Sequence, residues 1–238
     1  MRQRADTVTV QSWTYTTTTG TVLPLRNILA RFRPSASDRV LYVTHWDTRP
    51  FSDEARDSAQ RRTPVPGAND GASGVALLMA LGDVLKKTPP AVGVDLLFVD
   101  GEDYGDFGTM KDVLLGSTYF AAHLPDSGYR PLYGVLWDMI GDRDLDIYQE
   151  VNSVRGAPEI VQRVWDEAAD LGYQNYFIPQ RRYTVTDDHL PLLKAGLRVI
   201  DVIDLNYPAH HTPQDTMDQI SAESLQIVGD VATDLVMR

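Results

Sequence analysis

Ionisable side chains gather at the ends of apolar runs. His45-Trp46-Asp47 follows VLYVT, Asp100-Gly101-Glu102-Asp103 follows VDLLFV, Asp138 follows YGVLW, and His210-His211 lies a short loop beyond VIDVI. Asn69-Asp70 opens a helical stretch behind a Pro-Gly turn. One acid at a strand end is ordinarily a turn former or a helix cap. Carboxylates and imidazoles gathered repeatedly at such ends, without thiolates, suit a zinc site instead; three protein ligands and an open position mark catalysis, and a closed set of four marks a structural role. His210 and His211 are neighbours on an extended segment, so their side chains point opposite ways and at most one is expected to face such a metal.

The elements that must position these groups are legible as patterns. Val40–Thr44, Val94–Val99, Tyr133–Trp137 and Val199–Ile203 are short runs rich in β-branched residues, as in strands buried on both faces. Between them, 72–85 carries apolar residues at helical spacing (Val75, Leu78, Met79, Leu81, Leu85) and ends in Lys86-Lys87, where cations complement the helix dipole. Residues 158–171 and 222–237 repeat the pattern, the former with Pro158 at its start and Gly172 just past its end. Alternating strands and helices predict an α/β fold, a single domain over residues 1–238 with a mixed, mostly parallel central sheet sandwiched by helices. Ligands of such sheets bind beyond the carboxyl ends of the strands, where the ionisable groups lie. Two long loops, 49–67 and 104–115, are further places to expect function.

Composition removes several alternatives. The 238 residues carry 33 acidic and 22 basic side chains, a formal charge of −11, which repels nucleic acid and anionic lipid surfaces. There is no cysteine, so any metal must be held by His, Asp and Glu. The first residues lack the apolar core of a signal peptide, and no run of 18 uncharged apolar residues suggests membrane insertion.

The ordered motifs His45-x-Asp47, Pro66-Gly67-Ala68-Asn69-Asp70-Gly71-Ala72-Ser73-Gly74, Gly101-Glu102-Asp103, Asp138-Met139-Ile140-Gly141, Asp187-Asp188-His189-Leu190-Pro191 and His211-Thr212-Pro213 resemble the zinc aminopeptidase and glutaminyl cyclase superfamily. The resemblance runs from about residue 24 to the C-terminus and implies that family's three-layer sandwich. It implies zinc held by Asp70, Asp103 and His211, with Glu102 as general acid and base. One zinc per chain is expected for a cyclase. A two-metal aminopeptidase would add a second through His45 and Asp138, with Asp70 bridging. Asp187 stands where peptidases of the family more often carry Ser or Thr, and by resemblance joins Glu102 and Asp138 in an acid network. With the insertion at 104–115 and the run His45-Trp46-Asp47-Thr48-Arg49-Pro50, it is similar to the bacterial branch of the zinc-type glutaminyl-peptide cyclotransferases. That reading makes peptide or protein N-termini the substrate, pyroglutamate and ammonia the products, and a place outside the cytoplasm the expected site of action. The alternatives are hydrolysis of N-terminal residues and a degenerate peptidase fold that only binds protein.

The substrate pocket is expected to include His210, Phe107 and Trp46. His210 occupies the position of a typical cyclase Trp; it is read as a stacking surface, a carboxylate binder or a plain surface histidine. Trp46 is read as core or pocket floor, or as a stacking platform. His123 is read as a helix C-terminal residue, His189 as a supporting residue, Asp188 as a possible helix cap, and Asp215 with Thr216 as a turn that orients His211.

Overall fold

The apolar runs form the middle of one twisted sheet in the computed structural model, which describes all 238 residues. Strands β3 (Arg39–His45), β4 (Gly93–Val99), β5 (Tyr133–Asp138) and β8 (Val199–Ile203) are buried along their whole lengths. They pair in parallel in the order β4-β3-β5-β8. Two further strands, β1 (Thr7–Thr16) and β2 (Val22–Phe32), continue the sheet beyond β4 as an antiparallel hairpin. The sheet is thus mixed and mostly parallel. A separate two-stranded ribbon joins β6 (Ile147–Gln149) to β7 (Phe177–Arg181).

Alternation along the central strands sends side chains to two cores. Val40, Tyr42, Leu96, Phe98, Val135 and Trp137 face the layer of α1 (Ala72–Lys87), α4 (Pro158–Asp170) and α6 (Ala222–Met237). Leu41, Val43, Leu97 and Leu136 face the opposite layer, which contains α2 (Leu115–Ala122) and α5 (His189–Lys194). A short helix, α3 (Val151–Gly156), follows the ribbon. No helix is long and apolar enough to cross a membrane.

One polar cluster interrupts the apolar strands. Asp95 of β4, fully buried, accepts two hydrogen bonds from Arg39 at 2.7 Å, one from Arg31 at 3.1 Å and one from the Tyr129 hydroxyl at 2.8 Å. A buried carboxylate is tolerable only with such partners.

Parallel register brings the ends of adjacent strands to one edge. His45 lies opposite Val99, and Asp138 opposite Ile203, so the segments after β3, β4, β5 and β8 open on the same side. The start of α1 is pulled against this edge. At Gly74 a Cβ would lie 2.1 Å from the Thr44 hydroxyl and 2.5 Å from the Trp137 carbonyl. Gly71, at φ +93°, leaves no room either, because a Cβ would lie 2.6 Å from the Asp47 carbonyl. The glycines in Asp70-Gly71-Ala72-Ser73-Gly74 therefore let α1 begin where Asp70 meets the strand ends.

Candidate active site

Each ionisable residue at this edge is placed by a local device. Asp70 is set by Asp215, whose carboxylate accepts from the backbone N–H groups of Asn69 (2.8 Å) and Asp70 (3.1 Å) and from the Tyr207 hydroxyl (2.7 Å). Asp215 was expected to orient His211; it orients the Asn69-Asp70 turn instead. Glu102 and Asp103 are set by Asp47, whose two oxygens accept from their backbone N–H groups at 3.2 and 3.1 Å. His211 stands in the left-handed region at φ +51°, and its carbonyl accepts from the Glu54 N–H at 3.2 Å.

These devices bring three side chains from three loops together. His211 Nε2 lies 3.5 Å from Asp70 Oδ2 and 3.3 Å from Asp103 Oδ1. Asp70 Oδ2 and Asp103 Oδ2 are buried without a hydrogen-bond partner. Leaving carboxylate oxygens unpaired inside a protein is costly, and a cation coordinated by them removes the cost. Two carboxylates and one imidazole, with potential ligand atoms all within 4.8 Å of one another, fit a divalent ion of the zinc type and leave a fourth position open.

His45, Asp70 and Asp138 form a neighbouring cluster that shares Asp70 with the first. His45 Nε2 lies at hydrogen-bond distance, 3.1 Å, from Asp138 Oδ1, and 3.2 Å from Asp70 Oδ1. Burial disfavours charge on His45, yet Asp138, Asp47 and Asp70 hold its pKa well above the ordinary histidine value. Burial also opposes ionisation of Asp70, but His45 and the pair His210-His211 keep its pKa well below the usual carboxylate range.

The acids behind the three-residue cluster behave in the opposite way. Burial pushes the Glu102 carboxyl well up, and the nearby Asp103, Asp187 and Asp188 push it further against the pull of His45. Asp187 is likewise raised, by burial first and then by Asp138 and Asp188. Asp188 is pushed up to about 7, chiefly by burial. Like charges packed this closely cannot all ionise, so the group carries shared protons near neutrality. Asp188 is not the helix cap it was expected to be: it makes no cap hydrogen bond to α5 and instead accepts from the Ser117 hydroxyl.

A cavity of about 390 Å³ opens over these residues. Glu102, Asp138 and Asp187 form its polar floor, Met139, Val185, Ile203 and Leu205 its apolar wall, and Phe107 and His210 its rim. Phe107 is presented by the 104–115 insertion, which folds back through paired Asp106–Lys111 backbone hydrogen bonds of 2.9 and 3.1 Å. Asp112 ties the insertion to the β1–β2 hairpin by accepting from the Tyr15 hydroxyl at 2.9 Å and from the Thr18 N–H at 3.0 Å. His210 and His211 do not point opposite ways as expected of an extended segment: the chain turns here, with His211 at φ +51°, and the two rings stack with centroids 3.7 Å apart. His210 pairs with Glu54 at 3.4 Å on the rim of the cavity and is no plain surface histidine.

Trp46 is outside. It is 41% exposed, does not line the cavity, and donates its indole N–H to the Arg26 carbonyl at 3.0 Å. The reason is alternation: His45 points into the site, so its neighbour points away. Trp46 is therefore neither core nor pocket floor. His123 ends α2, its ring stacked on Tyr119, far from the cavity in role.

Sequence reasoning assigned no role to Arg49, Glu150 or Asp201, although it read His189 as a supporting residue. Arg49, buried, reaches both Asp53 and Asp103. A fully buried set of Glu150, His189 and Asp201 lies beside Asp187; His189 Nε2 is 3.4 Å from Glu150 and its Nδ1 3.8 Å from Asp201. Burial, then Asp187 and Asp138, push the Asp201 carboxyl well up. The signal that could have revealed it was an acid in the middle of the apolar run VIDVI.

A parallel-sheet sandwich whose strand ends converge buried acids and a histidine on one cavity defines a metal-dependent enzyme. The chain belongs to peptidase family M28, whose family model matches residues 27–236. Two solved structures are similar over the full chain: a glutaminyl cyclase of Bacteroides thetaiotaomicron bound to N-acetylhistamine, at 34% identity and TM-score 0.95, covering 85% of that chain, and a Zn-dependent exopeptidase of Parabacteroides distasonis, at 34% identity and TM-score 0.95, covering 86% of that chain. Among curated relatives, aminopeptidase YwaD of Bacillus subtilis is 29% identical over 206 residues, 82% of this chain and 40% of the relative. The chain thus spans less than half the length of that protein.

Proposed function

We propose that the protein is a zinc-dependent glutaminyl-peptide cyclotransferase that converts an N-terminal glutamine into pyroglutamate with release of ammonia. The observation that carries this reading is the set of buried acids Glu102, Asp138 and Asp187 lining a cavity beside a three-ligand metal cluster. The likeness to a bacterial glutaminyl cyclase along the whole chain supports it.

Asp70, Asp103 and His211 would hold one zinc, which when bound supplies a Lewis acid for the glutamine γ-carbonyl. The apolar wall of Met139, Ile203 and Leu205 holds the glutamine methylenes and excludes water, whose attack would give hydrolysis instead. Glu102 takes the proton from the α-amine as that nitrogen bonds to the carbon of the side-chain amide and closes the five-membered ring. The same carboxyl then returns the proton to the side-chain amide nitrogen as its carbon–nitrogen bond breaks, so ammonia leaves and the lactam carbonyl re-forms. Burial first, then the neighbouring Asp103, Asp187 and Asp188, push the Glu102 carboxyl up, the direction that helps it hold the proton between the two transfers. Asp187 and Asp138 line the cavity with Glu102 and would support it there.

The second reading is a two-zinc aminopeptidase, and the cluster of His45, Asp70 and Asp138 favours it. Two measurements decide. Incubation with a Gln-peptide should produce the mass loss of one ammonia, and elemental analysis should find about one zinc per chain. Release of free amino acids together with about two zinc ions establishes the aminopeptidase and refutes the cyclase.

A further inference from the structure

We propose that Arg49 is a positioning residue that clamps two ligands of the metal cluster, Asp103 and His211, into one geometry. The inference rests on the reading of Asp70, Asp103 and His211 as the metal-binding set.

Arg49 lies in the loop after β3, with its side chain only 6% exposed. Its guanidinium is used in two directions. Nε and Nη2 donate to the two oxygens of Asp53, both at 2.7 Å. Nη1 donates to Asp103 twice, to Oδ1 at 2.8 Å and to the backbone carbonyl at 3.1 Å. Asp53 in turn stands 3.6 Å from His211 Nδ1, on the opposite edge of the ring from Asp70 and Asp103. A single planar fork therefore ties the ligand from the β4 loop to the carboxylate that faces the back of the ligand from the β8 loop. Carboxylate behind imidazole is the arrangement that fixes ring orientation and leaves the front nitrogen free to bind a metal.

Charge alone does not explain this placement. A guanidinium beside a metal ligand repels a divalent ion, so removing Arg49 should strengthen zinc binding if Coulomb effects dominate. If positioning dominates, removal should weaken it. The sign of the change thus separates the two accounts. Lysine cannot replace the fork, since one ammonium has no fixed bidentate geometry with which to span both acids.

The test measures zinc dissociation constants by competition with a chromophoric chelator, using wild type, Arg49→Met, Arg49→Lys, Asp53→Asn and the double variant Arg49→Met/Asp53→Asn. Clamping predicts that Arg49→Met weakens zinc binding roughly 10- to 100-fold, with Arg49→Lys between it and wild type. Asp53→Asn should weaken binding less, and the double variant should be no weaker than Arg49→Met alone, because both act through one chain of contacts. Thermal unfolding in chelator checks that each variant is folded; should Arg49→Met fail to fold, Asp53→Asn, altered at a side chain 48% exposed, carries the test through His211. Unchanged or tighter zinc binding by folded Arg49→Met overturns the proposal, as does a raised KM with unchanged zinc affinity, which would place Arg49 on the substrate. Wild-type protein that binds no zinc refutes the reading of the metal site itself, an outcome distinct from variants that match a zinc-binding wild type.

Discussion

Asp215→Asn isolates the device that places Asp70. The native carboxylate accepts three hydrogen bonds, from Asn69 N–H, Asp70 N–H and the Tyr207 hydroxyl, at 2.7 to 3.1 Å. An amide of the same shape offers one oxygen, so it can accept from two of these donors at most and must point its NH₂ at a buried donor. Losing one bond to a charged acceptor costs about 1.5–3 kcal/mol, and weakening the other two to neutral strength adds roughly 1 kcal/mol each. Burying an amide in place of a carboxylate returns part of this, since burial opposes the ionised form of Asp215. The net destabilisation is on the order of 2–4 kcal/mol, which for a chain of this size lowers Tm by roughly 5–15 °C. Differential scanning fluorimetry in chelator measures it without interference from metal. Because the turn that relaxes carries Asp70, zinc affinity should fall in the same variant by about 10-fold or more. A folded Asp215→Asn protein with wild-type Tm in chelator and wild-type zinc affinity would refute the assignment of Asp215 as the support of Asp70.

Glu102→Gln should leave folding and zinc content nearly intact while lowering turnover of a Gln-peptide by about 10² to 10⁴, the usual scale for general acid-base work; retained activity means the proton carrier is another residue. Asp95→Ala removes the only acid paired with buried Arg39 and should cost about 3–5 kcal/mol in urea unfolding, far more than an exposed ion pair. A loss below about 1 kcal/mol would show that Arg39 finds other partners. Glu167, held beside Asp234 in α6, has its carboxyl pushed up to about 7 by burial and by that neighbour. Its native state therefore favours the proton, so the penalty is absent below the ordinary carboxylate range, grows as pH rises through it and is complete above about 7. Glu167→Gln should raise the urea midpoint relative to wild type at about pH 8 and leave it nearly unchanged at about pH 4; an equal difference at both pH values contradicts the assignment.

Much of the fold was legible because the four central strands are buried on both faces and read as plain apolar runs. The β1–β2 hairpin was not, since its Thr-rich, half-exposed sequence signals an edge strand only weakly and its place beside β4 depends on antiparallel pairing far along the chain. Helix boundaries followed from local chemistry: Pro158 opens α4, and Gly172, at φ +85°, lies just past its end. Within the site, His45, Glu102, Asp103 and Asp138 were legible at strand ends, Asp70 at a helix start and His211 in the loop beyond VIDVI, whereas Asp187 was marked only by the family resemblance of its motif.

What the sequence by itself determined is the kind of chemistry: no thiolates, a surplus of acids, and imidazole and carboxylate groups at strand ends, which parallel pairing must carry to one edge. What only the tertiary structure decided is the use of each group. Whether Trp46 faces the cavity, whether Asp215 serves His211 or Asp70, and whether Asp188 caps a helix or meets Ser117 depend on side-chain direction and on contacts between distant segments. Arg49 shows the difference most clearly. Its partners Asp53 and Asp103 stand 4 and 54 residues away, and nothing in the local sequence distinguishes a loop arginine exposed to solvent from one whose guanidinium is enclosed between two acids. Hydrogen-bond geometry and burial arise only when the loops meet, and they make the same residue type a solvated charge or a structural fork.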